Sequence, residues 1–254
     1  MKYTATEILQ RLEQSKEYCL TFNCRIQIGD ISVNLAKYDD VVGNIMQEWV
    51  EGWLKKNGVE YAPNDNTQMP PDFYLDPDDK QHNLMEIKAF NYKASPGFDI
   101  ADFRMYEQEI SAKPWMLDVT YLIFGYEMSD NGDVTIKHVW TKKVWEITRA
   151  MESGEKNHKV IWPLNLQIKK EVVHKIRPAK WYGKSTKFPI FQSMEDFLAA
   201  VEETVFQDED THKDFAGWRQ HITINYEKVY GKKLVFPRWS EIVEKYTPTK
   251  KKNK

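Results

Sequence analysis

Three side chains within PPDFYLDPDDKQHNLMEIKAF, residues 70–90, have the types and spacing to act on a phosphodiester: Asp72, Glu86 and Lys88. Pro71-Asp72 opens one short strand, residues 72–75, and Glu86-Ile87-Lys88 lies on the next, residues 83–90, with the polar turn DPDDKQH between them. Successive strand side chains point to opposite faces, so Glu86 and Lys88 project together while Ile87, Met85 and Ala89 face a core. If the two strands pair through the turn, Asp72 comes alongside Glu86. Two carboxylates and an amine then meet at one point. Hard carboxylate oxygens suit Mg2+, which keeps part of its shell for phosphate and water. Such an ion polarises a phosphate and acidifies water, and it removes the repulsion between the two acids. Lys88 is then placed to orient water and to stabilise charge growing on the phosphate. The same residues also read as ordinary charges on an exposed strand.

The elements that must hold these residues are legible at helical and strand periods. Residues 4–18 form an amphipathic helix with Ile8, Leu9 and Leu12 on one face, Thr4 capping its start and Glu7 three residues on. Residues 19–35 alternate as two strands joined at Gly29-Asp30. Residues 39–57 make the clearest helix, with Val42, Ile45, Met46, Trp49, Val50, Trp53 and Leu54 at helical spacing and Asn57-Gly58 ending it. A turn-rich stretch, 62–71, precedes the two strands of the site. Residues 98–111 read as a helix, 117–128 as a buried strand, and 129–133 as a turn into an antiparallel strand at 134–140. A helix is expected over 142–151, two strands within 159–176, a basic loop over 178–189 and a helix over 193–206. Helices flanking a mixed central sheet make the chain α/β or α+β.

Pro-Asp, a spacer and Glu-x-Lys together resemble the signature of the PD-(D/E)xK nucleases, a superfamily that includes most type II restriction endonucleases. The resemblance extends to the upstream helix, where GNIMQE matches the small-residue-then-Glu pattern of the superfamily's first core helix. It implies that Glu48 completes the metal site, directly or through water; a carboxylate partly buried beside the apolar stripe needs such a partner. A solvent-facing helix charge is the other reading. Element order agrees as well: helix, strand with Asp, strand with Glu-x-Lys, helix packing across the sheet, apolar strand. The run LMEIKAFNYKASPGFDIADF, with GNIMQEW before it and YLIFGYEM after it, is similar to the NlaIV/NgoBV group of restriction enzymes over about residues 1–190. That likeness implies a restriction-endonuclease-like core, cleavage of double-stranded DNA at a palindromic GGNNCC site, and a homodimer, because two strands need two active sites.

Holding DNA takes further residues. The segment RPAKWYGKSTKF, residues 177–188, interleaves basic and aromatic side chains: Arg177, Lys180, Lys184 and Lys187 can reach phosphates or guanine edges. A connecting loop with snorkelling lysines fits equally. Lys93 and Ser95, with Asn91 and Tyr92, follow the catalytic strand and are placed to touch the scissile backbone. Asp99 and Asp102 read as openers of the next helix rather than metal ligands. The six histidines have no paired ligand spacing, the nine tryptophans fall mostly at apolar-periodic positions, and no Gly-rich phosphate loop calls for a nucleotide cofactor.

The bulk sets the remaining bounds. At 254 residues, 41% hydrophobic and 29% charged, the chain suits a single domain over 1–246, with a catalytic core near 39–150, DNA-contacting and peripheral elements near 151–246, and a disordered basic tail at 247–254. Net charge is only −2, but residues 137–187 hold 13 Lys or Arg against 4 Glu, a local +9, while 195–214 holds 8 acids against Lys213, a local −7. The split fits an anionic partner on one side, or two solvated faces of opposite sign. Cys19 and Cys24 are too few for a disulfide framework or a zinc site, and neither a signal peptide nor a membrane span is apparent. A cytoplasmic protein with reduced thiols is the expectation. Two other readings remain: a repair or recombination nuclease that recognises DNA structure, and a non-catalytic DNA-binding protein.

Overall fold

The computed structural model describes residues 1–35, 39–66, 69–155, 158–170, 172–183, 187–209, 211–212 and 215–248. Chain contacts divide it into two compact units, Met1–Phe98 with Asp118–Lys143, and Asp99–Leu117 with Val144–Lys254.

The first unit opens with α1 (Ala5–Ser15), where the Thr4 hydroxyl accepts from Glu7 N–H and Glu7 reaches back to Thr4 N–H, the expected capping box. β1 (Thr21–Asn23), β2 (Arg25–Ile28) and β3 (Ile31–Asn34) follow, then α2 (Asp39–Lys56), β4 (Ala62–Pro63), β5 (Phe73–Tyr74) and β6 (Leu84–Asn91). The expected hairpin at Gly29-Asp30 is the β2–β3 pair, while the residues before it split off as β1, an edge strand elsewhere. β4 is a strand that the turn-rich reading of 62–71 missed.

In the second unit β7 (Ala101–Asp102) leads into α3 (Phe103–Ala112), so the expected helix at 98–111 starts five residues late, capped by Asp102, whose side chain accepts from Met105 N–H. β8 (Thr120–Met128) and β9 (Asp133–Lys142) return to the first unit and pair antiparallel, as expected. Six strands form its sheet in the order β1-β9-β8-β6-β5-β4; only β6–β8 is parallel. One face of that sheet is sealed by α1 and α2. Ile8, Leu12, Val42, Met46, Val50 and Leu54 are buried in a cluster with Met85, Ile87, Leu122 and Phe124.

The helix expected at 142–151 is not formed. A short 3-10 turn, Val144–Ile147, gives way to β10 (Met151–Glu155), which pairs with β11 (His158–Trp162). Two expected strands within 159–176 become three elements, β11, β12 (Leu166–Lys169) and β13 (Val172–Ile176), with β12-β13-β7 forming a small sheet. Helices α4 (Met194–Gln207), α5 (Phe215–Tyr230) and α6 (Trp239–Tyr246) complete the unit; α6 had no expectation from sequence. Of the tail at 247–254, residues 249–254 lie outside the described residues. No described helix is long and apolar enough to cross a membrane.

Candidate active site

β5 and β6 bring the acids together. They run antiparallel with Phe73 opposite Met85 and Tyr74 opposite Leu84. Extending that register by one residue sets Asp72 opposite Glu86, and the Ile87 N–H donates to Asp72 Oδ2 at 2.6 Å. On β6 the Lys88 ammonium pairs with Glu86 Oε1 at 2.7 Å. Carboxylate, carboxylate and amine therefore share one corner of the sheet.

The side of β6 that carries Glu86 and Lys88 is largely dry. Leu84 and Phe90, on the same side of β6 as Glu86 and Lys88, are buried, and Glu86 itself is only 6% exposed. Burial, then the neighbouring charge of Glu86, pushes the Asp72 carboxyl up to about 7, against the opposing pull of the Ile87 N–H and Lys88. Two crowded carboxylates in a partly desolvated corner favour an added positive charge.

Glu48 stands differently from its expectation. It is exposed, not partly buried, because α2 turns Met46 and Val50 inward and leaves position 48 at the surface. It nevertheless opens on a cavity of about 210 Å³ that Asp72 also lines, together with Gln47, Glu51, Asn64 and Asn66. Glu51, one turn beyond Glu48, is held by the Tyr61 hydroxyl at 2.6 Å and by Lys55 at 2.8 Å. These additional polar residues went unread; their signal was the i,i+3 spacing from Glu48 and the polar stretch 64–66.

The expected DNA contacts are dispersed. Lys93 and Ser95 are exposed beyond β6, with Lys93 3.9 Å from Glu127. In the second unit Arg177 is ion-paired with Asp99, which therefore does not open α3. Lys187 pairs with Glu152 at 3.1 Å, and Lys180 is exposed with its ammonium over the Tyr182 ring. Lys184 lies outside the described residues.

The donor set fits a hard divalent cation. Two carboxylates with the remainder of the shell open to water and phosphate is the arrangement Mg2+ accepts. Among the described residues no group of three or more His, Cys, Asp or Glu converges as a ligand set, so Glu48 does not join Asp72 and Glu86 as a third direct ligand.

A mixed sheet backed by helices, presenting Glu86 and Lys88 beside Asp72, places the molecule among the restriction endonucleases. Among solved structures it is similar to the NlaIV restriction endonuclease, matched at a TM-score of 0.87 and 48% identity over 97% of this chain and 98% of that one. The family model for the NgoBV restriction endonuclease matches residues 2–246, and the chain belongs to that family of type II restriction enzymes. It is 49% identical over 248 residues to the type II restriction enzyme NlaIV of Neisseria lactamica, covering 97% of this chain and 98% of that protein. It is also 44% identical over 171 residues to the type II restriction enzyme NgoBV of Neisseria gonorrhoeae, covering 67% of this chain and 92% of that protein.

Proposed function

We propose that the chain hydrolyses phosphodiester bonds of double-stranded DNA at a short palindromic site, GGNNCC, with Mg2+ at Asp72 and Glu86 and with Lys88 as the catalytic cation. The carrying observation is the close packing of Asp72 against β6, with the Ile87 N–H on Asp72 and the Lys88 ammonium on Glu86. The cation supplies a Lewis acid for the scissile phosphate and neutralises the paired acids. The chain's own groups do the rest. The Ile87 N–H fixes the direction of the Asp72 carboxylate, and buried Glu86 is held by the Lys88 ammonium. Lys88, only partly exposed, turns toward the phosphate and orients the attacking water while offsetting the charge that grows on the phosphoryl oxygens. Glu48, exposed on the shared cavity, acts through water. Lys93, Ser95, Arg177, Lys180, Lys184 and Lys187 remain the proposed DNA contacts, with Arg177 and Lys187 exchanging carboxylate partners for phosphate. The protein works in the cytoplasm as a homodimer.

The test is a digest of a sequenced plasmid with Mg2+ present. Discrete fragments whose ends fall within GGNNCC support the proposal; a smear, or cutting only at branches and nicks, overturns it. Lys88→Ala is expected to lower cleavage by at least about 10³-fold while retaining specific binding.

A further inference from the structure

On the face of the sheet that carries Glu86 and Lys88, a second constellation stands beside the acids. Lys88, Phe90 and Tyr92 alternate to the same side along and just beyond β6. Across the parallel pairing Phe90 faces Gly125 of β8, and Gly125 in turn faces His138 of β9. Rings cover this glycine. A Cβ there would lie 2.9 Å from the Trp140 ring and 3.3 Å from Tyr92. Tyr92 and His138 lie with ring centroids 4.2 Å apart, and His138 stacks on Trp140 at 5.3 Å with their planes 23° apart. Phe90 also stacks on Trp140, at 6.0 Å.

This stack differs from the core on the opposite face. Tyr92 and Trp140 are half-buried, and His138 is exposed. The pairing shifts here, from Gly125 opposite His138 to Tyr126 opposite Ile136, so β9 passes Lys137 without a partner on β8. A bulge of this kind re-aims the side chains beside it and recurs next to functional sites. The imidazole is thus held rigid by two aromatic neighbours, at the surface, on the catalytic face.

Resting on the nuclease reading above, we propose that His138, held by Tyr92 and Trp140 over Gly125, is a substrate-contacting residue that grips the sugar–phosphate backbone of the duplex a few base pairs from the scissile position. Strand geometry sets the reach. His138 lies two strands across and two residues along from Lys88, about 12 Å at ~4.8 Å per strand and ~3.3 Å per residue. That span is about three to four base-pair steps of ~3.4 Å. An imidazole N–H can donate to a phosphate oxygen, and the flanking ring edges offer an apolar seat for deoxyribose. Tyr92 and Trp140 are positioning residues in this scheme. A contact of this type adds affinity and register without reading sequence.

The experiment uses the whole chain and a synthetic duplex spanning the cut mapped in the plasmid digest, with Ca2+ replacing Mg2+ for binding. His138→Ala is expected to weaken binding by about five- to tenfold and to raise KM with little change in kcat. His138→Gln, which keeps an N–H donor, should recover most of that loss, a rescue that ring packing alone does not predict. Independently of folding in the variants, carbethoxylation of His138 in the wild-type protein, read by mass spectrometry, should slow several-fold when the duplex is added. Wild-type affinity in His138→Ala, or unchanged modification with duplex present, overturns the inference. A wild-type protein that cuts no plasmid removes the nuclease reading and this one with it, whereas a cutting protein with an unprotected His138 removes only this one.

Discussion

At the scale of single residues, Asp72 is under tension, and the tension has a sign. Its carboxyl is pushed up from 3.8 to about 7, first by burial and second by Glu86. In the unfolded chain the same group ionises near its ordinary value. Between about pH 4 and 7 the unfolded state therefore holds fewer protons than the folded one, and metal-free stability falls as pH rises through that window. Asp72→Asn keeps an oxygen to accept from Ile87 N–H but removes the charge. Above pH 7, with chelator present, it should melt higher than wild type by about 1–2 kcal/mol after allowance for screening, and it should fail to cleave. Thermal scans at pH 5 and pH 8 check the slope; a variant that melts lower at pH 8 contradicts this account. Asp72, Glu86 and Lys88 were legible because alternation and a short turn fix them locally. The exposure of Glu48 was not legible, since the rotation of α2 is decided by which part of its wide apolar face packs on the sheet.

Elements obey the same division between local and non-local causes. The capping box at Thr4 and Glu7 and the hairpin turn at Gly29 are written in adjacent residues, and both appear as read. Residues 142–151 misled because Val144, Ile147 and Thr148 have helical spacing and are buried, a pattern one 3-10 turn satisfies as well. What ends the turn is distant: Arg149 bridges to Ile190 and β10 pairs with β11, partners no window around 149 contains. The β8–β9 turn offers a direct test of element geometry. Gly132 has φ +81, and a Cβ there would fall 2.7 Å from the Asn34 side chain at the base of the β2–β3 hairpin. Gly132→Ala should cost about 1–3 kcal/mol through the left-handed backbone and the displaced amide, visible as a lowered urea midpoint at unchanged m-value. An Ala variant as stable as wild type shows that the turn relaxes freely.

At the level of the whole molecule, charge counted along the sequence was a poor guide to charge on the surface. The acid-rich stretch 195–214 is not a solvated face in full: Glu202 is buried between Arg219 and Arg238, and Asp196 is buried against Lys245 and the Tyr246 hydroxyl. Their partners come from α5, α6 and the residue before it, beyond the counted window. Glu202→Ala, which strands two guanidinium groups, should cost about 3–5 kcal/mol and leave cleavage per folded molecule unchanged. The basic stretch is partly spent in the same way, Arg177 on Asp99 and Lys187 on Glu152, so those two cations reach DNA only when their pairs open. Assembly is the remaining property of the whole chain. On the proposed reading each copy carries one Asp72–Glu86–Lys88 site, and cutting both strands of a palindrome in one encounter takes two, hence a homodimer. Wild-type chains refolded together with a Lys88→Ala excess should yield dimers with one competent site. Those dimers should convert supercoiled plasmid to the nicked circle and leave the linear form as a minor product, in proportion to the binomial fraction of wild-type pairs. Linearisation that falls only linearly with the wild-type fraction, with no nicked product, indicates a chain that cuts both strands with a single site.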